Sequence, residues 1–162
     1  MKHLQREPSP PWGAGTSPAP GIGSRQPAAW PRADNATMAK LRDIVIDCPH
    51  PASLARFWAA ALDGYAVAPY DDAEIDRLRS LGIYDLEDDP SVMVEGPGPR
   101  LCLQRVPEAR TVKNRVHLDL TADHPQEEIG RLVSIGASVV GRYESHVTLA
   151  DPQGNEFCVM MD

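Results

Sequence analysis

Two stretches near the end of the chain decide its fold: Asn114-Arg115-Val116-His117-Leu118-Asp119-Leu120 and Asp151-Pro152-Gln153-Gly154-Asn155-Glu156-Phe157-Cys158-Val159-Met160. Apolar and polar residues alternate in both, which is typical of strands that bury one face. Pro152 presets a turn and Gly154 can adopt a positive φ, so the second strand should begin directly after this turn. The sequence therefore predicts two half-buried strands, over residues 113–120 and 156–161.

Each predicted strand has one apolar face and one face that carries chemistry. The apolar faces, which should pack on helices, comprise Val116, Leu118, Leu120, Phe157, Val159 and Met161. The opposite faces carry an imidazole, two carboxylates and a thiol, which belong to His117, Asp119, Glu156 and Cys158. Side chains of these types can bind metal ions or transfer protons, so they are the first candidates for a functional site.

Composition restricts the class of protein. The chain has 162 residues, of which 42% are hydrophobic, and this fits one domain with a real core plus a tail. The formal net charge of −7 argues against nucleic acid or an anionic membrane surface as a partner. It is compatible with a cationic small molecule, and equally with simple solubility.

Cysteine usage and hydropathy bear on the compartment. The three cysteines form no Cys-x-x-Cys pair and no even-numbered disulfide framework. No apolar run approaches the roughly 18 residues that a transmembrane helix needs, and no apolar segment follows the first charged residues as in a secretory signal. We therefore expect a cytoplasmic protein with reduced thiols.

Residues 1–37 differ in composition from the rest of the chain. They contain seven prolines and almost no β-branched residues, so they cannot bury enough surface to offset the entropy of ordering. We expect a disordered, Pro-rich tail followed by a domain over residues 38–162. A passive tail, a true start at Met38 and a ligand for a partner protein are all compatible with this segment.

The order of predicted elements repeats. A strand over 41–47, a helix over 51–62 and strands over 65–69, 91–95 and 100–106 make a first module of about 40–108. A strand over 113–120, a helix over 125–135 and strands over 138–141, 146–150 and 156–161 make a second module of about 112–162. An additional helix over 71–82 and an acidic loop over 85–89 lengthen the first module. The region 71–99 is therefore a candidate lid, with simple covering of a sheet edge as the alternative.

With that order, the chain resembles the vicinal oxygen chelate superfamily of glyoxalases, bleomycin-resistance proteins and extradiol dioxygenases. The resemblance covers about residues 40–162 and is carried by four segments: Asp47-Cys48-Pro49-His50-Pro51 with Leu54-Ala55-Arg56-Phe57-Trp58, Leu103-Gln104-Arg105-Val106-Pro107-Glu108, the 113–120 strand, and Leu149-Ala150-Asp151-Pro152-Gln153-Gly154-Asn155-Glu156-Phe157. It implies an α+β fold in which two βαβββ modules of one chain form a cupped, partly open mixed sheet with helices outside. Because this fold hosts many reactions, it leaves the reaction open.

The resemblance also implies where ligands would lie. Metal-using members take His, Gln or Glu from the first and last strands of each module. At those positions the first module offers Asp43 and Cys102, with Gln104 beside Cys102. The second module offers His117 and, where a glutamate is expected, Cys158. Glu156 lies one step nearer the turn.

These transfers give a predicted site. The metal ligands would be His117, Cys158 and Glu156, Glu156 would also be the catalytic proton carrier, and Asp43, Gln104 and Asp119 would contact the ligand. One divalent ion, zinc, iron, manganese or nickel, is the implied cofactor. Each residue also has an ordinary explanation: His117 as a hydrogen-bonded pocket residue, Cys158 as a small buried side chain, and Glu156 as the charge partner of Arg100 or Arg115.

Three functions remain open at this point. The first is a metal-dependent lyase, isomerase or dioxygenase-like enzyme that acts on a small molecule. The second is a metal-free binding or drug-sequestering protein whose cup holds an aromatic or cationic ligand through Asp43, Asp119 and Glu156. The third is a structural or regulatory role without a ligand. The family habit of pairing modules between chains also makes a homodimer compatible with any of them.

Overall fold

The computed structural model describes residues 40–161, which contain three α-helices and eight strands. The predicted tail over residues 1–37 lies outside the described residues. The helices are α1 (Pro51–Ala61), α2 (Asp72–Ser80) and α3 (Pro125–Ser134), and a short 3-10 helix covers Leu86–Asp88. The strands are β1 (Asp43–Cys48), β2 (Ala66–Val67), β3 (Ser91–Glu95), β4 (Arg100–Arg105), β5 (Asp119–Leu120), β6 (Ser138–Arg142), β7 (His146–Ala150) and β8 (Glu156–Met160).

The strands form two four-stranded mixed sheets with the same topology. The first sheet has the order β1-β4-β3-β2 and the second the order β5-β8-β7-β6. In each, the first and last strands of a module pair in parallel, and the remaining neighbours are antiparallel. The predicted α+β class and the two βαβββ modules are therefore confirmed.

The helices form where two sequence signals agree: apolar residues at helical spacing and favourable residues at the helix ends. In α1 the first helical position is Pro51, whose missing N–H costs nothing there, and Leu54, Phe57 and Trp58 are buried as their spacing predicts. At α2, the Asp71 side chain accepts a 2.9 Å hydrogen bond from the N–H of Glu74 and so satisfies a free donor of the first turn. Among the described helices, none is long and apolar enough to cross a membrane.

The two modules share one core. Trp58 of the first module packs edge-on against Phe157 of the second, with ring centroids 5.2 Å apart. Trp58 also donates a 3.3 Å hydrogen bond from Nε1 to the buried carboxylate of Asp151. The guanidinium of Arg131 on α3 donates to the carbonyl oxygens of Ala60 and Ala61, at 2.8 and 3.0 Å, where α1 ends. Apolar burial and a few directed hydrogen bonds therefore join the modules.

The prediction of a strand over residues 113–120 was wrong for most of its length. Only Asp119–Leu120 is a strand, and Val116, expected in the core, is 75% exposed. The reason lies in the parallel register, which pairs Asp119 with Cys158. That register sets residues 113–116 level with residues 152–155, which form the turn before β8 and offer no ladder of hydrogen bonds. A smaller correction is the acidic loop over 85–89, which contains the 3-10 helix.

Candidate functional site

Three predicted residues of the second module come together on the face of its sheet that is turned away from the helices. His117, Asp119 and Cys158 each offer one ligand atom, and these atoms all lie within 4.8 Å of one another. Nε2 of His117 is 3.2 Å from Oδ1 of Asp119. Asp119 and Cys158 are direct neighbours on β5 and β8, and the N–H of Cys158 donates to the carbonyl of Leu118. We call these three residues the HDC cluster.

The HDC cluster has a donor set that suits zinc. In a tetrahedral zinc site, N, O and S ligands lie about 2.0–2.3 Å from the ion, and hence about 3.3–3.6 Å from one another. The three ligand atoms lie within 4.8 Å of one another, so they would have to approach one another by up to about 1.5 Å to reach that geometry. Imidazole, carboxylate and thiolate together favour zinc over manganese, which prefers oxygen ligands. His117 and Asp119 are exposed while Cys158 is buried, so the outer side of the cluster is open to a ligand.

Glu156 lies outside the HDC cluster. Its Oε1 accepts a 3.2 Å hydrogen bond from Nη1 of Arg110, which also donates to the carbonyl oxygen of Val112 at 2.8 Å. The carboxylate therefore joins the start of β8 to the connector between the modules. Sequence reasoning did not single out Arg110, because it stands in a segment without periodicity or a recognisable motif.

The first module places its predicted residues elsewhere. Asp43 is ion-paired with Arg100 (2.8 Å) and Arg42 (3.0 Å). Cys102 is buried, with its Sγ 3.5 Å from Oγ of Ser91. Gln104 is exposed, at the register position opposite Asp47 on β1. Within residues 40–161 the metal-capable cluster takes all its members from the second module.

A cleft of about 1050 Å³ separates the edge of β1 from the connector and the last turn. It is lined by Trp58 and residues 44–49, 106–112, 114–118 and 153–156. Both His117 and Glu156 line it, on a wall where Arg110 and Arg115 add positive charge. A cleft of this size can enclose a small organic molecule.

Two buried groups shape this wall. Burial, with the nearby carboxylates of Asp151 and Asp47, raises the pKa of the Cys48 thiol to about 11. Cys48 lines the cleft, but a thiol of that pKa stays protonated near neutral pH and is a poor nucleophile. Asp151 accepts hydrogen bonds from the N–H groups of Gln153 and Asn155, at 2.9 and 3.0 Å, and so orders the turn that leads to Glu156. In the sequence, the position of Asp151 as the first residue of the Asp-Pro-Gln-Gly-Asn turn is the signal that could have indicated this role.

The repeated βαβββ topology, with candidate ligands on the sheet faces away from the helices, defines the vicinal oxygen chelate class. A family model described as a glyoxalase-like domain matches residues 43–160. The chain therefore belongs to the glyoxalase-like domain family. The resemblance inferred from the sequence is confirmed.

Solved structures share the fold at low sequence identity. The fosfomycin resistance protein FosX from Mesorhizobium loti superposes with a TM-score of 0.56 at 8% identity, covering 78% of this chain and 94% of that one. A glyoxalase/bleomycin resistance protein/dioxygenase family enzyme from Burkholderia phytofirmans PsJN gives 0.53 at 11%, covering 75% and 97%. A glyoxalase/bleomycin resistance protein/dioxygenase from Nocardioides gives 0.51 at 14%, covering 80% and 88%. A search of curated protein sequences finds no significant match. At these identities the likeness concerns the fold alone.

Proposed function

We propose that this protein is a small-molecule enzyme of the glyoxalase-like type that uses one divalent metal ion, with zinc as the best fit, held by the HDC cluster. The observation that carries the proposal is the position of His117, which belongs to the HDC cluster and also lines the 1050 Å³ cleft. A molecule in the cleft would therefore meet the metal site at its edge.

Each residue has a defined task in this proposal. When bound, the ion supplies Lewis-acid polarisation of a carbonyl or enediolate oxygen of the ligand. His117, Asp119 and Cys158 hold it through N, O and S atoms. Glu156, oriented by Arg110 in the cleft wall, accepts and returns a proton of the ligand. A lyase or isomerase reaction at a carbonyl-bearing carbon fits this division of tasks.

The metal content of the purified protein tests the proposal. We expect about one zinc ion per chain by elemental mass spectrometry. His117→Ala and Cys158→Ala should lose it to background, since each removes a direct ligand. His124→Ala is the matched control, because His124 is an exposed histidine at the start of α3 and outside the cluster. No divalent ion in the wild type, even after soaking, would refute the metalloenzyme. So would full occupancy in His117→Ala.

A metal-free binding protein is the second candidate. It is favoured because all three residues of the HDC cluster belong to the second module. Within residues 40–161 the first module adds no ligand to the cluster, whereas metal-using members of the superfamily take ligands from both modules. In that case the cleft would hold an aromatic or cationic ligand through Glu156 and Asp119. Asp43 would have to leave Arg100 to take part, and the ligand roles of Asp43 and Gln104 remain predictions. Binding of a cationic aromatic molecule that persists in EDTA would support this candidate.

Location and assembly complete the proposal. We place the protein in the cytoplasm, because Cys48, Cys102 and Cys158 are all free thiols. A homodimer is proposed on the family resemblance. Sedimentation velocity of the purified protein would test the dimer.

A further inference from the structure

We propose that His146 is a proton-transfer residue for a ligand held at the HDC cluster. The inference rests on the proposed function and deepens it, because it assigns a second proton carrier to the same site. His146 begins β7, two strands away from His117, and no sequence motif marks it. The structure supplies three observations that single it out.

The first observation is its place on the sheet. In the second sheet, Asp119, Cys158 and Thr148 form a row across neighbouring strands, and Sγ of Cys158 is 3.6 Å from Oγ1 of Thr148. His146 lies two residues before Thr148, so its side chain is on the same face and diagonal to Cys158. Diagonal neighbours in an antiparallel pair lie roughly 7 Å apart, a distance that an aromatic side chain such as an imidazole can span. By this register His117 lies before the row, level with Glu156, and His146 lies beyond it, opposite Met160.

The second observation is that the surroundings of His146 are built to hold its ring. The ring of Tyr143 stacks on it, with centroids 4.6 Å apart and planes inclined by 21°. Tyr143 reaches this position across Gly141, where a Cβ atom would lie only 3.0 Å from the tyrosine ring. A Cβ atom at 141 would require the tyrosine ring to shift by a few tenths of an ångström. The glycine therefore leaves room for the tyrosine ring where it stacks on His146.

The third observation is the hydrogen bonding of the imidazole. Nδ1 of His146 is 3.0 Å from Oγ of Ser145. Among the described residues, no hydrogen bond engages Nε2. When Nδ1 carries the proton and donates it to Ser145, Nε2 presents a lone pair. The O–H bond of a ligand hydroxyl then breaks as the N–H bond at Nε2 forms, the electron pair stays on the oxygen, and the imidazolium later returns the proton.

Neighbouring groups set the charge around this histidine. Cys158 on β8 and Asp119 on β5 are the titratable groups of the row, and Tyr143 stacks on the ring from the end of β6. Arg142 and Glu144 flank Tyr143 in sequence and bring one charge of each sign.

A chelating dye can report this proton transfer without turnover. 4-Nitrocatechol carries two vicinal oxygens, and its visible absorbance reports the loss of its second phenolic proton. We would titrate it with pH on zinc-loaded wild type, His146→Gln, Ser145→Ala and His124→Gln. In His146→Gln the bound dye should lose that proton at a pH about one unit higher than in wild type. Ser145→Ala should shift the transition less, in the same direction, and His124→Gln should match wild type.

The outcomes separate the two proposals. If zinc and dye bind but the wild type and His146→Gln titrate alike, the role of His146 is overturned and the metal site stands. If the wild type holds no zinc or no dye, the proposed function fails and this inference fails with it. Thermal unfolding of each variant shows whether the fold is kept. Should His146→Gln unfold, an unchanged titration in Ser145→Ala would by itself overturn the proposal.

Discussion

Asp151→Ala should destabilise the protein more than a typical point substitution. The Asp151 carboxylate is 3% exposed and accepts four hydrogen bonds. The donors are Nε1 of Trp58, the N–H groups of Gln153 and Asn155, and Nδ2 of Asn155, at 2.9 to 3.3 Å. Alanine would leave all four donors without this acceptor, and one of them belongs to the largest side chain of the core.

The magnitude follows from how much water can reach those donors. A buried donor left without a partner costs about 1–3 kcal/mol. Trp58 is 1% exposed and must bear that full cost, while the turn residues Gln153 and Asn155 are partly exposed and recover part of it from water. We therefore expect a loss of about 3–5 kcal/mol in the free energy of unfolding. Since small domains have about 5–15 kcal/mol in total, the variant should be close to its limit.

Urea denaturation followed by tryptophan fluorescence measures this loss. With a denaturant slope of about 1–3 kcal/mol per molar, the midpoint should fall by about 2 M. Trp58→Phe removes one donor and keeps the acceptor, so circular dichroism should show a smaller loss of about 1–2 kcal/mol. Asp123→Ala, an exposed acid, should stay within about 0.5 kcal/mol of wild type. A loss below about 1 kcal/mol in Asp151→Ala would refute the view that this carboxylate joins the modules.

Two further predictions concern the core and its edge. Arg131→Met keeps the apolar stem but removes the hydrogen bonds to the last carbonyls of α1, so urea denaturation should show a loss of about 1–2 kcal/mol. Arg79→Met, which breaks only an exposed pair with Asp76, should cost about 0.5 kcal/mol or less, and equal effects would contradict the assignment. The pKa of Cys48 is raised from 9.0 to about 11, so the unfolded chain gives up this proton first and stability should fall as pH rises through that window. Cys48→Ala should lose this part of the pH dependence in urea titrations, and an unchanged profile would show that the thiol does not contribute.

Much of the fold was predictable because its signals are local. The helix from Pro51 and the strand Ser91–Glu95 were predicted from periodicity and from turn residues, both of which lie within a few positions of each other in the chain. The repeated order of elements, together with the resemblance to the vicinal oxygen chelate superfamily, then identified the class of fold. Val116 was the exception. The alternation of apolar and polar residues around it is typical of a strand, but the pairing with β8 begins only at Asp119, and Val116 is exposed.

The sequence by itself determined the order of the elements and the residue types available for a site. Tertiary structure alone decided which of those residues meet. His117, Asp119 and Cys158 converge because β5 and β8 pair in one particular register, while Glu156, two residues before Cys158, is held by Arg110 instead. Register depends on backbone hydrogen bonds between distant segments, and the periodicity of a single strand carries no information about them. The cleft beside β1 is likewise visible only in the folded protein. Residues 114–118, which were predicted as part of a strand, line it instead.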